Sequence, residues 1–146
     1  MCSSDLGYAI GQPERLARWA AWRDPWPVNG LAAAVVPPLL ADRRWTRRVQ
    51  RWVQGEGPLL RQALQRLPGL QPRASSANYL LLQADRPLLD LQHRLLQRHR
   101  ILVRDCRSFD GLGDHWWRLA LPTAAGRRRL LAALESEWRC LSGRHA

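Results

Sequence analysis

The chain has 146 residues, of which 46% are hydrophobic, so it is long and apolar enough for one domain with a core, and wholesale disorder is excluded. Its formal net charge is +11, and all 23 basic residues are arginine. Because lysine is absent, this chain cannot itself supply a Schiff-base lysine, a P-loop lysine or a lysine base.

The first part of the chain predicts one short strand and two helices. Residues 7–11 form an apolar run between glycines, which predicts a buried strand. Pro13 begins a helix that the prolines of residues 24–27 end. The inward positions of this helix are predicted to be Leu16, Trp19 and Ala20. Asn29 caps a second helix, which is apolar on all sides and therefore expected to be buried, and the proline pair at residues 37–38 should kink or end it.

The middle of the chain predicts two further helices separated by a break. Residues 42–54 place four large apolar side chains on one face at helical spacing. These side chains are Trp45, Val49, Trp52 and Val53. Glycine and proline in residues 55–58 should interrupt the helix, residues 59–67 continue as an amphipathic helix, and residues 68–69 end it.

From residue 70 onward the pattern predicts an α/β protein in which helices cover a small, mostly antiparallel sheet, an α+β layer. The predicted segments are strands 70–73 and 79–84, helix 87–98, strand 101–103, a turn at 111–114, strand 115–121 and a helix capped by Thr123. The inward residues of the two helices are predicted to be Leu88, Leu91, Leu95 and Leu96, then Leu130, Leu131, Leu134, Trp138 and Leu141. One face of the last strand should carry Trp116, Arg118 and Ala120.

Two arginines stand out from the other basic residues. Arg118 lies inside an apolar strand, and Arg104 directly follows the apolar run 101–103. An arginine in such a place is costly unless it meets an anion, and its guanidinium fork suits a carboxylate or a phosphate. The alternative is that the stem packs on tryptophan while the head reaches solvent or an internal carboxylate such as Asp105. The pattern alone leaves both possibilities open.

The remaining residues indicate little further chemistry. There is no nucleophile elbow or phosphate-cradling glycine loop, and Ser75, Ser76 and Ser108 have no evident base. The histidines and cysteines lack the spacing of metal sites, so no metal is expected. Three widely spaced cysteines favour a reducing cytoplasm over a disulfide framework. No signal peptide and no membrane-spanning segment are predicted.

The arginines are scattered over many segments, with dense runs at residues 43–51 and 127–129. Both runs lie on predicted helices, and no nucleic-acid-binding motif accompanies them. A solvated helix face is therefore favoured over a nucleic-acid surface, and no nucleic-acid partner is expected.

Several motifs in order resemble the class I/II aminotransferase-fold enzymes, the fold type I enzymes that use pyridoxal 5'-phosphate. Residues 76–82 (S-A-N-Y-L-L-L) are similar to the S-x-A-N-F-L-L strand of that family. Residues 101–112 (I-L-V-R-D-C-R-S-F-D-G-L) and 118–121 (R-L-A-L) resemble its C-terminal small domain. Upstream, residues 6–10 are similar to the strand that follows the cofactor lysine, and residues 27–32 to the start of the helix leading back to the small domain.

The resemblance extends over about residues 7–135 and implies a domain organisation. The implied parts are 1–6 as a non-native start, 7–27 as a remnant of the large cofactor-binding domain, 28–69 as connecting helices and 70–146 as the C-terminal small domain. The family's Schiff-base lysine is expected just before Gly7 and is missing. We therefore expect a parent enzyme that binds pyridoxal phosphate, whereas this chain alone should be inactive and holds no catalytic residue.

The resemblance also implies roles for the two arginines. Matched position by position, Arg118 is the arginine that grips the substrate α-carboxylate, and Arg104 helps to bind the phosphate end of the substrate. Two fixed guanidinium forks can orient an amino-acid phosphate.

The resemblance is nearest to the subgroup that contains histidinol-phosphate aminotransferase and threonine-phosphate decarboxylase. Residues 104–112 look more like the decarboxylase of cobalamin biosynthesis, a lyase, while the aminotransferase or another class I/II member stays open. Members of the family are usually dimers, so the parent protein is expected to be a homodimer. The alternative hypotheses are a basic nucleic-acid-binding module and a stand-alone ligand-binding module without catalysis.

Overall fold

A computed structural model describes residues 9–25 and 27–142 of the chain. Two compact units are present, Met1–Trp45 and Thr46–Ala146. In chain order the described elements are α1 (Pro13–Ala21), α2 (Gly30–Ala41), α3 (Arg43–Leu64), β1 (Leu70–Pro72), β2 (Tyr79–Ala84), α4 (Leu89–His99), β3 (Arg104–Cys106), β4 (Gly113–Ala120) and α5 (Ala124–Ser142). None of these helices is both long enough and apolar enough to cross a membrane.

In the first unit, α1 begins as predicted, with Pro13 in its first turn and Glu14 near its positive end. Its expected inward stripe is wrong, because no residue of α1 is buried and Trp19 is exposed. The predicted strand lies partly outside the described residues, and its described part, within residues 9–12, has no regular structure. A lone strand gains stability only by pairing, and these residues pair with no described strand.

The second helix, α2, is capped as predicted, since the Asn29 side chain accepts a hydrogen bond from the backbone N–H of Leu31 at 2.8 Å. The proline pair does not end α2, which continues to Ala41. The fixed φ of proline, about −65°, is compatible with a helix, so the lost N–H donors and the crowding by the rings weaken α2 without ending it. The expectation that α2 is buried is also wrong: Leu31 is 82% exposed and Leu40 is 78% exposed.

The helix α3 is one continuous element, so the predicted break at residues 55–58 is wrong. Pro58 lacks the N–H that would bond to the carbonyl four residues earlier, and the chain keeps its helical path with that single loss. The last two turns of α3 bury Leu60 and Leu64 completely. Packing of these two leucines outweighs the weak helix preference of the glycines nearby.

The four strands form one sheet of order β1-β2-β4-β3, in which every neighbouring pair is antiparallel. This confirms the predicted small antiparallel sheet. The predicted strand at residues 101–103 is wrong, because the edge strand β3 starts only at Arg104. Arg100 takes a left-handed conformation (φ 53°) at the end of α4, and the Ile101 N–H still bonds to the Leu95 carbonyl at 3.0 Å. These residues therefore complete the helix exit before the strand can begin.

One face of the sheet and the helices form the core. The buried sheet residues include Leu80, Leu82, Trp117 and Leu119. The helices contribute Leu60, Leu64, Leu88, Leu91, Leu95, Leu130, Leu134 and Trp138, with Leu131 and Leu141 packed against them. The predicted inward stripes of α4 and α5 are confirmed except at Leu96, which is exposed. Burying each leucine contributes about 2 kcal/mol, so this face holds the unit together.

The helices α4 and α5 are also joined by a buried carboxylate. Glu137 of α5 is 3% exposed and lies 3.0 Å from Nε2 of His99. Arg98 and Arg94 approach the same carboxylate at 3.3 and 3.4 Å. The hydrogen bond from His99, followed by the charge of Arg98, lowers the pKa of Glu137 although burial opposes this.

Candidate anion-binding site

The open face of the sheet brings the two predicted site arginines together. Arg104 of β3 and Arg118 of β4 are direct cross-strand partners. Residues in that relation point to the same side, with Cβ atoms about 5 Å apart. Arg118 is exposed between the buried residues Trp117 and Leu119, which confirms the predicted alternation along the strand. The fold therefore places both guanidinium groups on one surface.

Arg118 does not use the internal carboxylate that the sequence offered as an alternative partner. Asp105 instead accepts hydrogen bonds from the backbone N–H and the Nε of Arg107, at 3.1 and 3.3 Å. The hydrogen bonds from Arg107 lower the pKa of Asp105. The guanidinium carbon of Arg118 lies 5.1 Å from the ring centre of Tyr79, on the neighbouring strand β2.

Arg104 is held by the turn that follows β3. Its Nη2 donates a hydrogen bond to Oγ of Ser108 at 3.2 Å. Its guanidinium carbon lies 5.9 Å from the ring centre of Phe109. The turn is closed by the Phe109 N–H, which donates to the Cys106 carbonyl at 3.0 Å. These contacts orient the guanidinium without neutralising its charge.

The electrostatics of the pair favour an anion. In the second unit Arg127 meets Glu56 at 2.8 Å, and Arg94 and Arg98 share a carboxylate. Within the described residues no ion pair joins Arg104 or Arg118 to a carboxylate. Like charges directly opposite each other destabilise a sheet. A bound carboxylate or phosphate would remove this repulsion and satisfy the free donors.

A cavity of about 500 Å³ adjoins the pair. Arg104 and Arg118 line it, together with Arg129 of α5, whose Nη2 donates to the backbone carbonyl of His99. In the sequence, Arg129 stands out only as part of the basic run 127–129. The sequence signal that could have identified Arg129 was its position near the start of the helix that Thr123 was predicted to cap. The structure contains this cap, because the N–H of Gly126 donates to the Thr123 hydroxyl at 3.2 Å.

The cavity is suited to binding rather than to acid–base chemistry. Its titratable lining consists of the three arginines and Asp105. The nearby thiol of Cys106 is buried, and this burial raises its pKa, which makes it a poor nucleophile. Pyridoxal phosphate, which the resemblance implies, is held as a Schiff base by a lysine amine. The chain contains no lysine, so its residues do not fit covalent attachment of that cofactor.

A family model and individual relatives indicate the same protein family for this chain. The sequence model of the family described as aminotransferase class I and II matches residues 5–134. The chain is 41% identical over 132 residues to a threonine-phosphate decarboxylase of Salmonella typhimurium, covering 90% of this chain and 36% of that protein. It is 39% identical to a histidinol-phosphate aminotransferase of Symbiobacterium thermophilum, covering 93% of this chain and 37% of that protein.

A solved structure supports the same assignment. The L-threonine-O-3-phosphate decarboxylase of Porphyromonas gingivalis superposes with a TM-score of 0.78 at 26% identity, covering 89% of this chain and 40% of that one. The chain thus spans little more than a third of the length of the curated relatives that it matches. The match extends over most of the chain and confirms the resemblance seen in its motifs: the chain belongs to the aminotransferase class I and II family.

Proposed function

We propose that this chain is the substrate-gripping C-terminal part of a pyridoxal-phosphate enzyme that acts on a phosphorylated amino acid, and that the enzyme is most like threonine-phosphate decarboxylase. The observation that carries the proposal is the cross-strand pair Arg104 and Arg118, which lines a cavity without a carboxylate partner among the described residues. The identity to the Salmonella typhimurium decarboxylase supports the choice of reaction.

In this proposal Arg118 binds the substrate α-carboxylate and Arg104 binds the phosphate. Neighbouring strands fix the spacing of the two guanidinium groups, so a ligand with two anionic groups is held in one orientation. Orientation matters because the cofactor acts as an electron sink for several reactions, and the protein selects among them by how it holds the substrate. Arg129, which also lines the cavity, adds positive potential there.

The second candidate is a histidinol-phosphate aminotransferase, which the 39% identity to the Symbiobacterium thermophilum protein favours. Both candidates require a phosphate contact, so Arg104 has the same role in each. They differ in the second anionic group, because histidinol phosphate has no carboxylate for Arg118. Binding that is much tighter for O-phospho-L-threonine than for histidinol phosphate would favour the decarboxylase.

The proposed chemistry needs residues outside this chain. The purified chain, supplied with pyridoxal phosphate and O-phospho-L-threonine, should neither decarboxylate nor transaminate, because it has no lysine. Detection of carbon dioxide or of a keto acid above the background of free cofactor would contradict this. A homodimeric, cytoplasmic parent protein without nucleic-acid or membrane partners stays a prediction from sequence.

The binding roles are testable in the chain itself. Titration of the ¹⁵N-labelled chain with O-phospho-L-threonine, followed by the arginine Nε–Hε signals, should show Arg118→Ala binding about tenfold more weakly, since charge-assisted hydrogen bonds are lost. Arg66→Ala removes the same charge from an exposed site outside the cavity and serves as the matched control. Equal weakening in both variants would reduce the effect to net charge and defeat the proposed role.

Unphosphorylated L-threonine separates the two arginines. Arg104→Ala should weaken binding of O-phospho-L-threonine but leave the weak binding of L-threonine unchanged, because only the phosphorylated ligand reaches Arg104. A loss of the same size for both ligands would contradict the assignment of the phosphate to Arg104.

A further inference from the structure

Each of the two site arginines has its guanidinium group close to an aromatic ring. Tyr79 lies 5.1 Å from the guanidinium of Arg118, and Phe109 lies 5.9 Å from that of Arg104. Both arginines line the cavity, whereas neither ring belongs to its lining. Each ring therefore lies next to an arginine of the cavity lining without itself lining the cavity.

The register of the sheet brings Tyr79 to Arg118. Tyr79 is the direct cross-strand partner of Ala120, and Leu81 is the partner of Arg118. Tyr79 and Arg118 are thus diagonal neighbours on one face, within reach of an aromatic side chain. The small side chain of Ala120 leaves the ring room to lean over the guanidinium. A guanidinium over a ring face keeps its in-plane N–H donors free for an anion.

The turn after β3 positions the second ring, that of Phe109, next to Arg104. The Asp105 carboxylate accepts the Arg107 N–H at 3.1 Å and so shapes the turn after β3. The turn places Phe109 over the guanidinium and gives one N–H of Arg104 to the Ser108 hydroxyl. The remaining donors of Arg104 are left for a ligand.

We propose that Tyr79 and Phe109 are positioning residues, which hold the guanidinium groups of Arg118 and Arg104 ready for a ligand with a carboxylate and a phosphate. This inference rests on the proposed binding roles of the two arginines. A free arginine side chain loses much rotamer freedom when it binds, and a ring that restricts it beforehand reduces that loss. Both rings act through the arginines and do not touch the ligand.

The same sheet face contains a matched control. Arg73 lies over Trp116, with 5.5 Å between the guanidinium carbon and the ring centre, and donates to Oε1 of Gln83 at 2.5 Å. Neither Arg73 nor Trp116 lines the cavity. Removing this ring disrupts an equivalent stack on the same surface without disturbing the proposed site.

The test measures the affinity of the 146-residue chain for O-phospho-L-threonine in Tyr79→Leu, Phe109→Leu and Trp116→Leu. We expect the first two to bind about threefold to fivefold more weakly, which corresponds to an exposed cation–π contact, and Trp116→Leu to stay within about twofold of the parent chain. Tyr79→Phe keeps the ring and should restore the affinity lost in Tyr79→Leu. Tyr79→Met is the substitute if Tyr79→Leu lacks a folded amide spectrum.

Two failures can be told apart. If Arg118→Ala binds as well as the parent chain, the proposed function itself is wrong. If Arg118→Ala loses affinity but Tyr79→Leu matches Trp116→Leu, the arginine role stands and the positioning role is overturned. Failure of Tyr79→Phe to restore affinity would assign the effect to the hydroxyl and likewise overturn the role of the ring.

Discussion

At the scale of single residues, Glu137 shows how far local sequence can mislead. It sits in a predicted helix as an ordinary polar residue, yet it is buried and contacted by three side chains of α4. The partners lie on another element, so no spacing within α5 could reveal them. Arg118 is the opposite case, because an alternating strand pattern alone predicted its face.

Replacing Glu137 by glutamine should destabilise the chain by about 3 kcal/mol, because the cations around this buried carboxylate lose their counter-charge. Arg94 carries most of that cost, since its side chain is only 18% exposed while that of Arg98 is 59% exposed. Chemical denaturation at neutral pH measures the change. Glu135→Gln, at an exposed position two residues away in the same helix, is the control. A loss below about 1 kcal/mol would show that the cluster contributes little.

The same residue predicts a pH dependence. The pKa of Glu137 is lower in the folded chain than when unfolded, so the unfolded state binds more protons at acid pH. Its contribution is therefore complete above the unfolded pKa, about 4.3, and is lost as the pH falls through the lower folded value. Denaturation between pH 7 and pH 3 should show the parent chain approaching Glu137→Gln in stability. A gap between them that stays constant would contradict this.

At the scale of elements, the helical spacing of apolar residues identified the helices, whereas glycine and proline gave wrong predictions of where the helices end. They suggested a break in α3, which is continuous, and a kink or an end of α2, which does not end at its proline pair. Such residues weaken a helix by an amount that packing elsewhere along it can exceed. The boundaries of β3 depended on the left-handed exit at Arg100, which no local pattern announces.

Two glycines should respond oppositely to alanine. Gly55 lies within α3 and a Cβ there would meet no atom within 4 Å, so Gly55→Ala should stabilise the chain by about 0.5–1 kcal/mol. Gly69 has φ +83°, and a Cβ would collide with Asp85, so Gly69→Ala should destabilise it by more than 1 kcal/mol. Thermal unfolding of both variants provides the comparison. A destabilised Gly55→Ala would indicate that the helix does not continue through that position.

At the scale of the whole molecule, the order of the elements from residue 70 onward and the single antiparallel sheet were predictable, while the exposure of α2 was not. An all-apolar helix indicates a need for cover, but the sequence does not say what provides it. The described core and the side chains packed against it all begin at Trp52 or later. The second unit should therefore fold without the first.

A shortened chain of residues 43–146 should keep cooperative unfolding and a midpoint within about 5 °C of the full chain. It should also be more soluble, since the exposed apolar residues of α2 are gone. Circular dichroism during heating tests this, with Leu64→Ala in the shortened chain as a destabilised reference expected to lose about 2–5 kcal/mol. Absence of a cooperative transition in the shortened chain would show that the first unit is required.

The strand order has a kinetic consequence. The pair β1–β2 joins segments close in sequence, whereas β2 pairs with β4 across the whole of α4 and β3. Closing that larger loop costs conformational entropy before the hydrogen bonds between β2 and β4 can form and offset the cost. We therefore expect the β1–β2 hairpin to form early and the pairing of β4 with β2 to limit the rate of folding. Arg104 and Arg118, which lie on the two strands after that loop, would then meet only when this step is complete.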